Sequence, residues 1–226
     1  INKSITLDGN GHKLTSKAER AINVSGGVSA TIKNLTVDAS GERAINVIQG
    51  ASTVSIINVT AKAANYAVNV AASAAGTTIE IEDSILTGLC TVSVQAPDVT
   101  VTINKSVINN VDNSSVESYA ALSMGVDSER STITATNTTI NVAGDSVKAS
   151  VSSLTGRIII NGSEEEVLYK VAYISYGSAS YTFNTLEEAI SYANDGETVT
   201  LLRDVELKEI LVINKSITLD GNGHKL

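Results

Sequence analysis

The sequence predicts an all-β solenoid, a parallel β-helix of stacked coils with one short capping α-helix, and three observations carry that expectation. Val, Ile, Ala, Thr, Ser and Asn dominate the 226 residues, with one Pro, one Phe and no Trp, a β-branched bias that favours strands. A five-residue pattern recurs as RAINV (20–24), RAINV (43–47), YAVNV (66–70) and CTVSV (90–94), at intervals of 23, 23 and 24 residues, with a weaker match at AALSM (120–124). That period is too short for a βαβ unit, which needs roughly 30 residues or more. What remains is a coil that climbs about 4.8 Å per turn, each strand pairing in parallel with its counterpart one coil above.

A longer repeat encloses the short one. INKSITLDGNGHKL stands unchanged at residues 1–14 and 213–226, a period of 212 residues. The expectation is one period of a tandem array, whose copies arose by recent duplication.

Taken in order, each short repeat reads as a strand with one buried face. Ile22 and Val24, Ile45 and Val47, Val68 and Val70, Val92 and Val94 alternate with Asn23, Asn46, Asn69 and Ser93, which should point the other way. A second register runs through KNLTV, INVTA, EDSIL, INKSV, TNTTI and INGSE. Here Asn34, Asn58, Asp83, Asn104, Asn137 and Asn161, with Asn2 and Asn214 at the repeated ends, fall between two β-branched runs. Asn and Asp tolerate left-handed backbone and bond locally to the main chain, so these residues are expected to form a turn ladder with amides stacked along the column. Longer coils around residues 109–120 and 142–151 should carry projecting loops.

One helix is expected, near residues 185–194. Thr185 and Glu188 form a capping box, Leu186, Ala189, Ile190 and Ala193 share a face, and Asn194-Asp195-Gly196 stops it. TVTLL and ILVIN after it read as opening strands. This organisation divides the chain into coils at 1–171, then a cap helix with the opening coils of the next unit at 172–226. Residues 167–181, with four of the seven Tyr, would form the junction, their rings packing it.

The coil pattern together with residues 184–226 resembles the right-handed parallel β-helix proteins of the pectin-lyase-like superfamily, in which a short amphipathic helix commonly closes the N-terminal end. The resemblance covers nearly the whole chain. It implies a right-handed coil, and it identifies a fold and not an activity.

Chemistry is sparse by comparison. Enzymes of that fold need a carboxylate pair, or a Ca²⁺ cluster with a basic residue, in a flank groove. No set of acidic residues suited to that chemistry recurs in register on adjacent coils. Glu19-Arg20 and Glu42-Arg43 should stack as a solvated charge ladder. His12 and His224 occupy the same position of a DGNGH turn, and a lone His makes neither a triad nor a zinc site. One cysteine, Cys90, excludes an internal disulfide. A net charge of −8 argues against nucleic acid, and no apolar run approaches the roughly 20 residues that span a bilayer. No cofactor is expected. The function expected is a structural or adhesive repeat of a long extracellular bacterial surface protein, with adjacent identical repeats as partners and glycan or protein as possible ligands. The alternative is a polysaccharide lyase, hydrolase or carbohydrate-binding module.

Overall fold

The computed structural model describes residues 1–111, 119–177 and 179–226. Seven rungs stack in it. The first comprises β1 (Ile5–Asp8), β2 (Lys13–Ser16) and β3 (Arg20–Ser25); the second β4 (Ser29–Ala39) and β5 (Arg43–Ile48); the third β6 (Thr53–Lys62) and β7 (Tyr66–Val70). The fourth holds β8 (Thr78–Glu82), β9 (Ile85–Gly88) and β10 (Val92–Val94), and the fifth β11 (Thr100–Asn104), β12 (Val107–Asn110) and β13 (Ala120–Met124). The sixth is β14 (Thr132–Thr136), β15 (Thr139–Asn141) and β16 (Val147–Val151), and the seventh β17 (Arg157–Ile160) and β18 (Val167–Tyr169). Every pairing between rungs is parallel. An eleven-stranded sheet takes the first two runs of each rung, and a seven-stranded sheet, β3 to β18, takes the third.

Register explains the core. Leu7, Ile32, Ile56, Ile81, Ile103, Ala135 and Ile160 fall level on successive rungs of the first sheet. Ile22, Ile45, Val68, Val92, Leu122, Ala149 and Val167 do the same in the second. Because side chains alternate across a strand, one polar residue in two keeps a whole column apolar on the inside. Most of these residues are fully buried in one continuous cluster.

The outward residues of the seven-stranded sheet differ from expectation. Asn46, Asn69 and Ser93 face away from the apolar column yet are buried. Their burial is tolerable because each is hydrogen-bonded: Asn69 Nδ2 donates to Asn46 Oδ1 at 2.7 Å, Asn46 Nδ2 to Asn23 Oδ1 at 2.8 Å, and Gln95 Nε2 to Ser93 Oγ at 2.8 Å. The charge ladder is asymmetric too. Arg43 lies level with Arg20, donates to Glu19 at 2.7 Å and sits 5.5 Å over the Tyr66 ring.

Residues 172–226 form a second, smaller cluster. β19 (Ala172–Tyr176) and β20 (Ala179–Phe183) make an antiparallel hairpin; α1 (Leu186–Tyr192) follows, then β21 (Thr198–Leu201) and β22 (Thr218–Asp220), in the order β20-β19-β21-β22. Thr185 caps α1 by accepting from Glu188 N at 3.1 Å, while Glu188 reaches back to Asn184 N at 3.1 Å. The buried face of α1, Leu186, Ala189 and Ile190, packs with Ala172, Ile174, Val199 and Leu201. Arg203 ties this unit to the seventh rung. Its guanidinium lies 4.7 Å over the Tyr169 ring and donates to Lys170 O at 2.6 Å and Ser153 O at 3.3 Å.

Two local expectations fail. ILVIN forms no strand, and Ile210 and Val212 are exposed, because no strand among the described residues pairs with them. Of the second expected loop, only residues 142–146 project, since Val147–Val151 pairs with β13. Of the first, residues 112–118 lie outside the described residues.

Candidate functional site

The turn ladder occupies the corner between the first and second runs. Asn34, Asn58, Asp83 and Asn137 take left-handed backbone there, with φ of 52°, 53°, 49° and 50°. Asn58 Nδ2 donates to Asn34 Oδ1 at 2.9 Å, and Asn34 Nδ2 to Asp8 Oδ1 at 3.1 Å. Asn104 stands one residue early. β11 pairs it with Glu82 and Thr136, so Lys105, with φ of 47°, holds the corner instead. Asn161 is level with Thr136 rather than with Asn137, and joins Gly162 in a tight turn closed by an Ile160–Ser163 bridge. Asn2 and Asn214 lie at another corner, because pairing of Leu7 with Ile32 sets Gly9 and Asn10 at the ladder's level in the first rung.

A companion ladder escaped the sequence reading. The residue after the left-handed one is a buried hydroxyl on three rungs: Ser84, Ser106 and Thr138 bond to the carbonyls of Glu82, Asn104 and Thr136 at 2.8, 2.8 and 2.9 Å. Ser84 and Ser106 also accept from the main chain one rung below, from Val59 N and Ser84 N at 3.1 Å each. The dipeptides Asp-Ser, Lys-Ser and Asn-Thr carried that signal, and aligning on them would have put Lys105 in register. These ladders hold corners; they point no reactive group at a common space.

A groove of about 710 Å³ runs along the outer face of the seven-stranded sheet beneath the hairpin and α1. Its floor is Ser93, Gln95, Ser123, Ser150 and Ser152, and its sides carry Tyr66, Tyr119, Tyr181 and Tyr192. The Tyr181 and Tyr192 rings are 5.5 Å apart, and Tyr181 meets Tyr176 edge-on at 5.2 Å. Asp127, Glu188 and Lys170 are its charged residues. Glu188 serves the helix cap, and Lys170 donates to Asn184 Oδ1 at 2.8 Å. Cys90 also lines it. Among the described residues no three His, Cys, Asp or Glu side chains gather to hold a metal ion. The groove can hydrogen-bond and stack.

The repeated segment is the second site. Its two copies share one local fold: Asn10 and Asn222 both have φ of 48°, Asp8 and Asp220 accept from those amides at 2.9 and 2.8 Å, and the two His amides donate to Gly9 O and Gly221 O at 2.8 and 2.7 Å. Their neighbours lie on opposite sides. The first copy bonds forward to the second rung: Gly9 N to Lys33 O at 2.9 Å, Gly11 N to Asn34 O at 2.8 Å, Asp8 to Lys33 at 3.3 Å, and Lys13 to Asp38. These contacts hold the Asp8 and Asp38 carboxyls below the usual range, Asp8 chiefly through the Asn10 amide and Asp38 through Lys13. The second copy bonds backward: Thr218 N to Glu197 O at 2.9 Å, Asn222 Nδ2 to Leu201 O at 3.2 Å, His224 to Asp204 at 3.2 Å, and Lys215 to Ala193 O at 2.7 Å at the end of α1. Among the described residues the two copies pair through opposite edges, the first with β4 and the second with β21. Comparison of the chain with protein-family models, curated proteins and solved structures finds no match.

Proposed function

We propose that the chain is a spacer unit of a tandem β-helical stalk, a structural and adhesive repeat of a bacterial protein that works outside the cell. One observation carries the reading: the two copies of INKSITLDGNGHKL fold alike and pair on opposite edges, so a single copy satisfies both neighbours at once. Merging them places Val199, Leu7 and Ile32 in one column and continues the core of one unit into the next. Parallel coils and a helix ahead of the opening strands support placing the chain near the pectin-lyase-like β-helices. The test is a chain carrying two periods, studied by small-angle scattering. Seven rungs and the β21 level, at about 4.8 Å each, extend the particle by roughly 38 Å per added period; an unchanged maximum dimension would mean that the units fold back on each other and do not set reach.

A second reading is carbohydrate binding in the groove, favoured by Tyr66, Tyr119, Tyr181 and Tyr192 around a hydroxyl-rich floor. Incubation with plant and bacterial polysaccharides, with and without Ca²⁺, separates the cases. New chain ends or unsaturated products would make the chain an enzyme, retention without cleavage a binding module, and neither result leaves the spacer alone.

A further inference from the structure

We infer that the joint between units also works between molecules, by strand replacement: residues 210–226 of one chain take the place of residues 1–14 on β4 of a second copy. This rests on the merged coil proposed above, not on the spacer role.

The edges themselves select this arrangement. β22 is paired on one side by β21, its other side pairs with no strand among the described residues, and Leu226 is 58% exposed. The corresponding Leu14 is partly buried against Val37, its level partner on β4. A copy of residues 213–226 laid on β4 would recover every contact that residues 1–14 make there, since the sequences are identical. It would also keep its own bonds to β21, Asp204 and α1, because the two sets fall on different atoms. Thr218 N bonds backward, whereas the amides corresponding to Gly9 and Gly11 bond forward.

The incoming segment also brings more surface than the one it displaces. Ser25 N donates to Ile1 O and the Ile1 nitrogen to Asn23 O, a parallel pattern that sets Ile1 level with Val24. In the same register Leu211, already half-buried against the cap cluster, lies level with Ile22, and Val212 lies beside Asn23 on the outer face, so residues 210–213 become a strand on β3.

Simple end-on stacking, with both copies kept, is the competing geometry. It would set Asp220 over Asp8, Lys215 over Lys3 and Lys225 over Lys13, like charges directly opposite on neighbouring strands. Replacement removes that conflict: Asp220 meets Lys33, and Lys225 meets Asp38. The contact is head-to-tail and does not close, so repetition makes filaments.

Cysteine trapping distinguishes the geometries in the full chain. With Cys90→Ser as background, one isotope-labelled population carries Thr218→Cys and an unlabelled one Thr31→Cys or Thr6→Cys, all at surface positions. Level pairing brings Cα atoms to about 5 Å, within disulfide reach. Replacement predicts the mixed disulfide for the 218/31 mixture, at least about tenfold over 218/6, a ratio of partner populations worth about 1.4 kcal/mol. Sedimentation of the unaltered chain should show oligomers that grow with concentration. A 218/6 disulfide would establish stacking and overturn the inference; so would a monomer at all concentrations with neither disulfide. Trapping at 218/31 together with an unextended two-period chain would keep the joint and discard the spacer.

Discussion

Ile56 and Ile57 are neighbours of the same type on opposite faces of β6, and replacing each in turn by Asp tests the architecture most sharply. Ile56 is 0% exposed, level with Ile32 below and Ile81 above; Ile57 is 36% exposed, between Lys33 and Glu82. Losing the buried side chain at 56 costs about 2–5 kcal/mol for transfer and cavity. The introduced carboxyl must also be held neutral at pH 7, and a shift of about 3–5 pK units costs a further 4–7 kcal/mol or so. The sum, about 6–12 kcal/mol, rivals the whole stability of an ordinary domain, about 5–15 kcal/mol. Ile56→Asp should therefore leave the middle rungs unfolded. Ile57→Asp gains a neighbour of opposite charge and one of like charge, and should stay within about 0.5 kcal/mol of the parent. Urea unfolding followed by far-ultraviolet circular dichroism reads both. The carboxyl at 56 has its folded pKa raised, so acidification toward pH 4 should lessen the defect. Equal midpoints for the two variants would refute the inward assignment of the Ile column.

Other perturbations report on corners and polar ladders. Asn46→Ala leaves Asn69 Nδ2 and Asn23 Oδ1 without their partner and should cost about 1–3 kcal/mol in the same urea assay, while an unchanged midpoint would mean that solvent satisfies the column. Gly41→Ala puts a methyl 1.9 Å from Ala18 O on the adjacent rung and should destabilise by about 1–3 kcal/mol or more. Gly26→Ala, at φ of +89° but with no atom within 4 Å, should cost only the backbone preference, about 1 kcal/mol; the reverse order would contradict the close approach at 41. Thermal midpoints should be level above pH 5 or so and fall below it. Asp8, Asp38 and Asp98 are held under their ordinary value of 3.8 by Asn10, Lys13 and Arg130 respectively, and Glu164 under 4.5 by the Tyr169 hydroxyl and then Arg157. Lowered folded values give stability that is present above the ordinary values and lost as pH falls through the lowered ones. A midpoint that rises between pH 4.5 and 3 would contradict the sign.

Period and face were legible in the sequence because both follow from nearest-neighbour stacking. Ile22, Ile45 and Val68 are level in space because they are 23 residues apart along the chain, and a coil converts one into the other. Register at the corners was less legible, because Asn is abundant enough to match one residue out of step. At Asn104 the strand pairing overrides the residue's turn preference, and Lys105 takes the left-handed position although Asn suits it better. Burial of Asn46 and Asn69 was not legible either, since alternation separates two faces and does not say what lies over the outer one. The groove was out of reach for a related reason. Its wall joins Tyr66 to Tyr192, residues from the third rung and the cap helix, and no periodicity relates them.

The repeated segment shows how much of this fold is local. INKSITLDGNGHKL closes the same Asp–Gly–Asn–Gly turn against β4 in one place and against β21 in the other, so the turn is specified by its own residues and the partner supplies only the edge. A joint with that property needs no matched pair of distinct surfaces: any unit accepts any other, and copy number can change without redesign of the contact. The same property makes it promiscuous. Identical joints cannot distinguish a neighbour in the same chain from one in another, and only covalent continuity, through the local concentration it creates, favours the first. On the joint proposed above, a single array held in register and a filament of separate chains would be two outcomes of one set of bonds, divided by linkage rather than by recognition.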